Sequence, residues 1–440
     1  MLKTPSRQFY IALFGLTSKL QIIWGLPVKK TLLISLLLSL ATIQVYSEEV
    51  YANAEESLKI AITGPFSGGS APMGISMRDG AKLAIAEINA GGGIKVGGKK
   101  MKIEIIERDD EGKNDRGALI AQEMASMENL SGVIGTVNTG VAMAGDRHLQ
   151  EKGITKIITP AAGSASMTQW SKAGVKDLSI FRFAAHDGIQ AAMVVEEAIK
   201  RKFTKVALLH DSSNYGVSGR DDLLEQIKQQ GGKLEVVTTE KFNIGDKDMT
   251  AQLLRVKSSG AQAILIWAVG PELAAVANGL AKNKIKAPLI GGWALSMSNF
   301  IDNAGINANG AMMPQTFIEE PITPRVTKFM DAYHKAYGVT RILSPVSAAQ
   351  GYDAVLIFIA AVKQAQSADT RKIKDALEDL REPVQGVIAT WQRPFSKWNP
   401  TNVQTHEAFR REHVVMGVVQ DGRVVFADDT DRKRLVKKLK

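Results

Sequence analysis

Ser131–Asp146 reads SGVIGTVNTGVAMAGD, and its reading decides the fold. Val133-Ile134 is a short apolar run between glycines and ends a buried strand. Thr136–Gly140 is small and polar, which predicts a turn. Val141–Leu149 then takes up helical spacing. A strand that enters a helix through a tight turn leaves the first helical N–H groups unpaired at the strand's C-terminal edge. Together with the helix dipole they seat a carboxylate, and in open α/β sheets that edge is where ligands bind. An ordinary strand–helix corner, with Thr139 as N-cap, satisfies the same residues.

The flanking sequence repeats this rhythm. Upstream, LKIAIT (58–63) predicts a strand, Met77–Asn89 a helix stopped by Gly91-Gly92-Gly93, KIEIIERDD (102–110) a strand and Arg116–Met127 a helix. Downstream, TKIITP (155–160) predicts a strand. A second run follows Phe181-Arg182-Phe183. It has helices at 189–200, 220–230, 249–257 and 272–282, and strands KVALLHD (205–211), LEVVTT (234–239), AILIWAV (263–269) and APLIGG (287–292), with SSNYG as a loop. Helices follow at 325–337, 346–364 and 371–380, then a hairpin turning at Asp421-Gly422. Alternating strand and helix implies parallel sheets covered on both faces. The fold expected is α/β, two doubly wound units whose strand ends and loops face one cleft.

Composition agrees. A chain of 440 residues is long enough for two cores. Its 45% hydrophobic and 23% charged residues are ordinary for a globular protein. The net charge is +10, and residues 1–54 hold five Lys/Arg against two Glu. The basic cluster Asp431–Lys440 reads as a frayed, solvated end; without interleaved aromatics it makes no case for nucleic acid. The absence of cysteine excludes disulfides, thiol nucleophiles and a Cys-linked lipid anchor.

Lys29-Lys30 followed by TLLISLLLSLATIQV has the form of an export signal. Cleavage is expected after Ala54 or Ser47, and the apolar run is short for a membrane span of ~20 residues. Residues 1–27 place a second semi-apolar stretch ahead of that signal. Translation beginning near Leu26 or Val28 accounts for this; a precursor retaining residues 1–20 in mass spectrometry would contradict it.

No enzyme signature stands out. Ser67 and Ser218 lack a G-x-S-x-G frame. Gly69–Ser76 outlines a phosphate loop but has Ile75 in place of its lysine. Six scattered histidines show no metal-ligand spacing, and no cofactor is expected. His210-Asp211 and Asp109-Asp110 read as structural pairs rather than catalytic dyads.

From about Leu58 to Asp428 the chain resembles the type 1 periplasmic substrate-binding proteins of ABC importers, in the branched-chain amino acid (Leu/Ile/Val) binding branch. The motifs that carry this are IAITGPFSGGSAPMG, GAKLAIAEINAGGGI, DDEGKND, VIGTVNTGVAMA, ITPAAGSASMT, VALLHDSSNYGVSG and ILIWAVGPE, in this order and spacing. The resemblance implies two lobes joined by three hinge crossovers, one of about 56–184 and 315–385, the other of about 185–314 and 386–440. It also implies ligand capture by lobe closure, a periplasmic location, a monomer, and delivery to an ABC permease and ATPase. A sensor ectodomain feeding a separate receptor is the alternative. A DNA-binding regulator shares the architecture but carries a helix-turn-helix where this chain has its export signal.

Carried over by position, the resemblance implies that Thr139, with Asn138 beside it, holds a ligand carboxylate. It implies that Ala161 and Gly163 sit at the carboxylate and ammonium, with Ser164 following where a threonine is missing. Tyr215 closes from the second lobe and Met73 forms a wall of the first. Trp293 is the departure, because amino-acid binders carry a glutamate there for the ligand ammonium. A buried unpaired ammonium is costly, and indole offers instead a flat apolar face; Trp267 is a candidate for a second such face. The ligand expected is therefore a small carboxylate, an organic or aromatic acid lacking an α-ammonium in preference to a branched-chain amino acid.

Overall fold

The computed structural model describes residues 57–439, so the export signal, both cleavage points and the start-site reading lie outside the described residues. In chain order the first half runs β1 (Leu58–Gly64), α1 (Ala71–Ala90), β2 (Ile94–Val96), β3 (Lys99–Met101), β4 (Ile103–Asp109), α2 (Asn114–Ala125), β5 (Leu130–Ile134), α3 (Thr139–Lys152), β6 (Lys156–Ile158), α4 (Ala165–Lys172) and β7 (Ile180–Arg182). Strands β4-β1-β5-β6-β7, in that order, make a five-stranded sheet in which every pair is parallel. Alternation along β1 decides which face each residue serves. Leu58, Ile60 and Ile62 join a core with Met77 and Ile85 of α1, while Ala61 joins Val133, Ile120 and Leu149 on the opposite face. Both faces are thus covered, as a parallel sheet requires.

The second half runs α5 (Asp187–Lys200), β8 (Lys205–Asp211), α6 (Asn214–Gln229), β9 (Glu235–Phe242), α7 (Thr250–Ser258), β10 (Ala263–Trp267), α8 (Glu272–Lys282), β11 (Leu289–Gly291), a 3-10 turn Trp293–Ser296, α9 (Ser298–Ala304) and β12 (Met312–Gln315). It continues through α10 (Pro324–Tyr337), α11 (Pro345–Ala365), α12 (Thr370–Glu378), β13 (Val384–Gln385), β14 (Thr390–Trp391), 3-10 turns Val403–His406 and Arg411–His413, β15 (Val415–Gln420), β16 (Arg423–Phe426) and α13 (Asp429–Leu439). A seven-stranded sheet has the order β16-β15-β12-β11-β10-β8-β9. It is parallel from β9 to β12 and antiparallel through β15 and β16. The architecture is therefore α/β with two parallel-sheet lobes, the second finished by the hairpin at Asp421-Gly422.

The chain passes between the sheets three times: after β7, after β12, and between the turn Val403–His406 and β15. Residues 324–378 return to the first sheet, where α11 lies along α1. That contact is backbone to backbone. A Cβ on Gly80 would lie 2.0 Å from the Ala348 carbonyl oxygen, and one on Gly351 would lie 2.1 Å from that of Met77. Helix α11 is the one described helix long and apolar enough to cross a membrane, and it is a core helix, largely buried.

Several boundaries differ from the sequence reading. Residues 386–406, expected with the second unit, pack on the first: the Val387 and Ile388 N–H groups donate to Asp353 of α11, and the turn Val403–His406 lies against β7 and α4. Glu407 then bridges Arg182 at the end of β7. Helix α1 starts at Ala71, with Pro72 in its first turn, where the missing N–H costs nothing. Helix α6 starts at Asn214 because the Ser213 hydroxyl caps the Gly216 N–H at 3.1 Å, so Tyr215 lies in a helix and not in a loop. The basic end is not frayed. Asp429–Leu439 is a helix that buries Leu435 against Ile318 and Val415, with acids in its first turn and lysines in its last to match the dipole. Helix α4 and the β2–β3 hairpin were too short to be read from periodicity.

Candidate ligand-binding site

The loops that leave β5 and β6 and the helix starts facing them enclose a small cavity. It is partly open, and its empty volume, counted out into the solvent at its mouth, is ≈ 290 Å³. The first sheet contributes Met73 from the opening turn of α1, Val137, Asn138 and Thr139 from the β5–α3 corner, and Pro160 and Ala162 from the loop after β6. The second contributes Tyr215 from the first turn of α6, Val269 after β10, and Trp293 and Ala294 from the turn after β11. None of these lining side chains is charged.

The polar end is the start of α3. Asn138 is the N-cap residue but its side chain makes no capping bond, and Thr139 is the first helical residue rather than the cap. The first-turn N–H groups have no side-chain cap and concentrate positive potential at the cavity wall. Thr139, 1% exposed, adds a hydroxyl whose direction is fixed, because its Oγ1 accepts the Gly163 N–H at 3.2 Å. That leaves its own hydrogen to donate. Gly163 is required beneath it: a Cβ there would fall 2.3 Å from Thr139 Oγ1.

A frame of carboxylates, with Asp110 and Asp211 buried, shapes these loops. Asp110 accepts the Thr136 hydroxyl at 2.6 Å and the Gly112 N–H at 2.9 Å, tying the end of β4 to the turn before α3. Burial raises its pKa. Asp109 accepts Phe66 N–H at 2.8 Å and the Ser67 hydroxyl at 2.7 Å. In the second half Asp211 accepts the Ser213 hydroxyl at 2.5 Å and the Val269 N–H at 2.9 Å, which sets both the α6 start and a cavity residue. The His210 ring meets the Asp211 backbone carbonyl, at 2.8 Å, and not its carboxylate, so the pair is no dyad. Behind the loop after β6, buried Arg182 pairs with Glu407 and donates to the carbonyls of Ala162, at 3.1 Å, and Gly163, at 2.8 Å. Among the described residues no group of three or more His, Asp or Glu could hold a metal.

Of the residues singled out from sequence, Met73, Asn138, Thr139, Tyr215 and Trp293 line the cavity. The other four lie behind it. Ala161 turns into the opposite core, one residue out of register with Ala162, which lines the cavity. Gly163 supports Thr139 from below. Ser164 points across the cleft and donates to Asp222 Oδ2 at 2.8 Å. Trp267 is fully buried in a layer beneath Tyr215, ring centroids 6.0 Å apart, packed where Gly219 leaves space. Sequence reasoning missed Val137, Pro160, Ala162, Val269 and Ala294, small apolar residues that carry no chemical signal of their own. The two halves touch at this site: α3 meets α6, and Asn299 Nδ2 donates to the Gly69 carbonyl at 2.9 Å.

Comparison with known proteins places these features in context. A family model described as periplasmic binding protein matches residues 57–406. The Leu/Ile/Val-binding protein homolog 3 of Brucella melitensis is 28% identical over 339 residues, covering 77% of this chain and 87% of that protein. The leucine-, isoleucine-, valine-, threonine- and alanine-binding protein of Pseudomonas aeruginosa is 26% identical over 332 residues, 74% of this chain and 83% of that one. A type 1 periplasmic binding protein from Bordetella pertussis superposes with a TM-score of 0.73 at 25% identity, covering 84% of this chain and 99% of its own. A Rhodopseudomonas palustris solute-binding protein solved with benzoate shares the fold, with a TM-score of 0.70 at 21% identity over 84% of this chain and 96% of its own.

Proposed function

This chain belongs to the periplasmic binding protein family, and on that premise we propose that it captures a small carboxylate-bearing ligand between two closing lobes and delivers it to an ABC permease and its ATPase. The family is one of solute binders, not enzymes. The lobes are residues 57–184 with 315–406, and 185–314 with 407–439. The protein acts as an exported monomer, cut after Ala54 or Ser47.

The observation that carries this reading is Thr139 at the uncapped start of α3. Its hydroxyl hydrogen and the adjacent N–H groups offer several charge-assisted bonds to one carboxylate. The rest of the cavity wall is Met73, Val137, Pro160, Ala162, Val269 and Trp293, which suits an apolar body. Burial of that body contributes ~25 cal/mol per Å². The position at which amino-acid binders carry an ammonium-pairing glutamate holds Trp293, so the ligand is an acid without an α-ammonium.

Isothermal calorimetry against short-chain, branched-chain and benzoate-type acids, with leucine alongside, tests this. Binding of one of the acids more tightly than leucine is expected. Micromolar leucine binding with no response to any of the acids would overturn the ligand reading.

A further inference from the structure

Three buried polar side chains beside the cavity meet no partner in hydrogen-bond geometry among the described residues. Asp187 opens α5, fully buried, and its own N–H donates to the Ala162 carbonyl at 2.9 Å. Neither of its carboxyl oxygens has a hydrogen-bond partner; nor do the Tyr215 hydroxyl and the Trp267 indole N–H. All three side chains are more than nine-tenths buried.

They form one cluster. Trp267 lies next to Tyr215, and its N–H is near enough to Asp187 to favour the charged carboxylate without reaching hydrogen-bond geometry. Asp187 in turn acts on the Tyr215 hydroxyl. The cluster lies just behind the cavity wall and is tied to it through three residues. Ala162, bonded to the Asp187 N–H, lines it; so does Tyr215; and Gln190, three residues along α5, accepts the N–H of the cavity residue Trp293 at 3.0 Å. Buried polar groups are nearly always satisfied in a native fold, and leaving several open together is costly. The cost is recovered where a ligand completes them.

Their charge state narrows what that ligand brings. Burial raises Asp187 well above the usual carboxylate range, and nearby Asp222 adds to this. Arg182 opposes it but is committed to Glu407 and to two backbone carbonyls. In the protonated form that burial favours, the carboxyl offers one donor and one acceptor, as the phenol does. A ligand hydroxyl, which also gives and takes a hydrogen bond, matches them; an ammonium, which only gives, requires a charged carboxylate.

We propose that Asp187 and Tyr215 form a subsite for a hydroxyl group, so that the ligand of this cavity is a hydroxy-substituted carboxylic acid. This rests on the carboxylate seat at Thr139 and adds a second contact to it.

The test is calorimetry on the purified protein with matched pairs: benzoate against its 2-, 3- and 4-hydroxy derivatives, and 3-methylbutanoate against its 2-hydroxy derivative and valine. At least one hydroxy acid should bind about tenfold or more tightly than its parent, the scale of pairing an otherwise open buried group. In Asp187→Ala that ratio should collapse towards one, and in Asp187→Asn, which keeps a donor and an acceptor, it should largely persist. Equal binding of every hydroxy acid and its parent by the unaltered protein overturns the subsite and leaves the carboxylate seat standing. Failure of all the acids to bind overturns both. Valine binding tightest, and lost in Asp187→Asn, also overturns the proposal, because Asp187 would then be an ammonium partner.

Discussion

The Ser164 hydroxyl donates to the Asp222 carboxylate at 2.8 Å, joining the loop after β6 to helix α6 of the other sheet. The bond lies outside the cavity and exists only while the two halves are together. Burial raises the pKa of Asp222. Ser164→Ala removes the donor and leaves a half-buried carboxyl without it. Loss of one such bond weakens the closed form by about 0.5–1.5 kcal/mol, and ligand affinity should fall ~2–10-fold with the cavity unchanged. Small-angle scattering of the ligand-free variant should show a larger radius of gyration than the unaltered protein. Identical affinity and radius would show that the bond does not hold the closed form.

Thr139 should separate the roles of hydroxyl and shape. Thr139→Val keeps the volume, removes the donor to the ligand and strips the Gly163 N–H of its acceptor. Binding should weaken by about 1.5–3 kcal/mol, roughly 10–150-fold. Thr139→Ser should retain most of the affinity, and both variants should melt cooperatively near the parent temperature. An unchanged dissociation constant for the valine variant would remove Thr139 from the site.

What was readable in the sequence was local. The β5–α3 corner announces itself within sixteen consecutive residues, because strand, turn and helix each need different residue types there. The position of Thr139 in the cavity follows from that pattern. Asp187 was not readable: an acid at a helix start is ordinary, and its isolation arises from Ala162, Tyr215 and Trp267, which only the fold assembles. The exchange of Ala161 for Ala162 is a shift of one residue in an irregular loop, where no periodicity fixes which side faces the ligand. The packing of residues 386–406 on α11, β7 and α4 was not readable either, because they contain almost no regular structure to carry a pattern.

Trp293→Glu tests the specificity argument directly. It places a carboxylate on the cavity wall, at the position to which the resemblance to amino-acid binders assigns the ammonium partner. Alone, that buried charge is costly and the variant should lose affinity for simple acids. Leucine affinity should rise relative to the parent by tenfold or more, since ligand ammonium and new carboxylate then satisfy each other. Calorimetry with leucine and with its deaminated analogue reads both changes, and a variant that loses acid binding without gaining leucine would place Trp293 in packing alone.

The α1–α11 contact predicts a stability defect of a different kind. Gly351→Ala drives a methyl to 2.1 Å from the Met77 carbonyl oxygen, a backbone atom that cannot swing away. The helices must separate, and overpacking of this type costs about 1–3 kcal/mol or more. Urea denaturation should show a lower midpoint with little change in slope. Gly338→Ala, at a position with φ of 64° but nothing within 4 Å of a Cβ, should cost less, from backbone strain alone.

His413 governs part of the response to acid. Its ring lies 5.0 Å from that of Trp391 and 5.8 Å from that of Phe409, and burial there lowers its pKa from 6.5 to about 4. Between those values the unfolded chain takes up a proton that the folded chain does not, so stability is lost as pH falls from 6.5 to about 4. The loss from this group is ~2–3 kcal/mol. Asp353, which accepts the Trp391 indole N–H at 2.9 Å, acts in the opposite sense. Burial raises it from 3.8 to about 6, so the folded chain holds its proton longer and stability rises as pH falls through that range. The two groups oppose each other across pH 4–6. His413→Asn keeps an acceptor for the Arg410 N–H, which His413 Nδ1 takes at 3.0 Å, but removes the titration. Urea midpoints measured at pH 7, 5.5 and 4 should therefore fall less steeply on acidification in the variant than in the parent, and parallel curves would show that His413 is protonated in the folded protein.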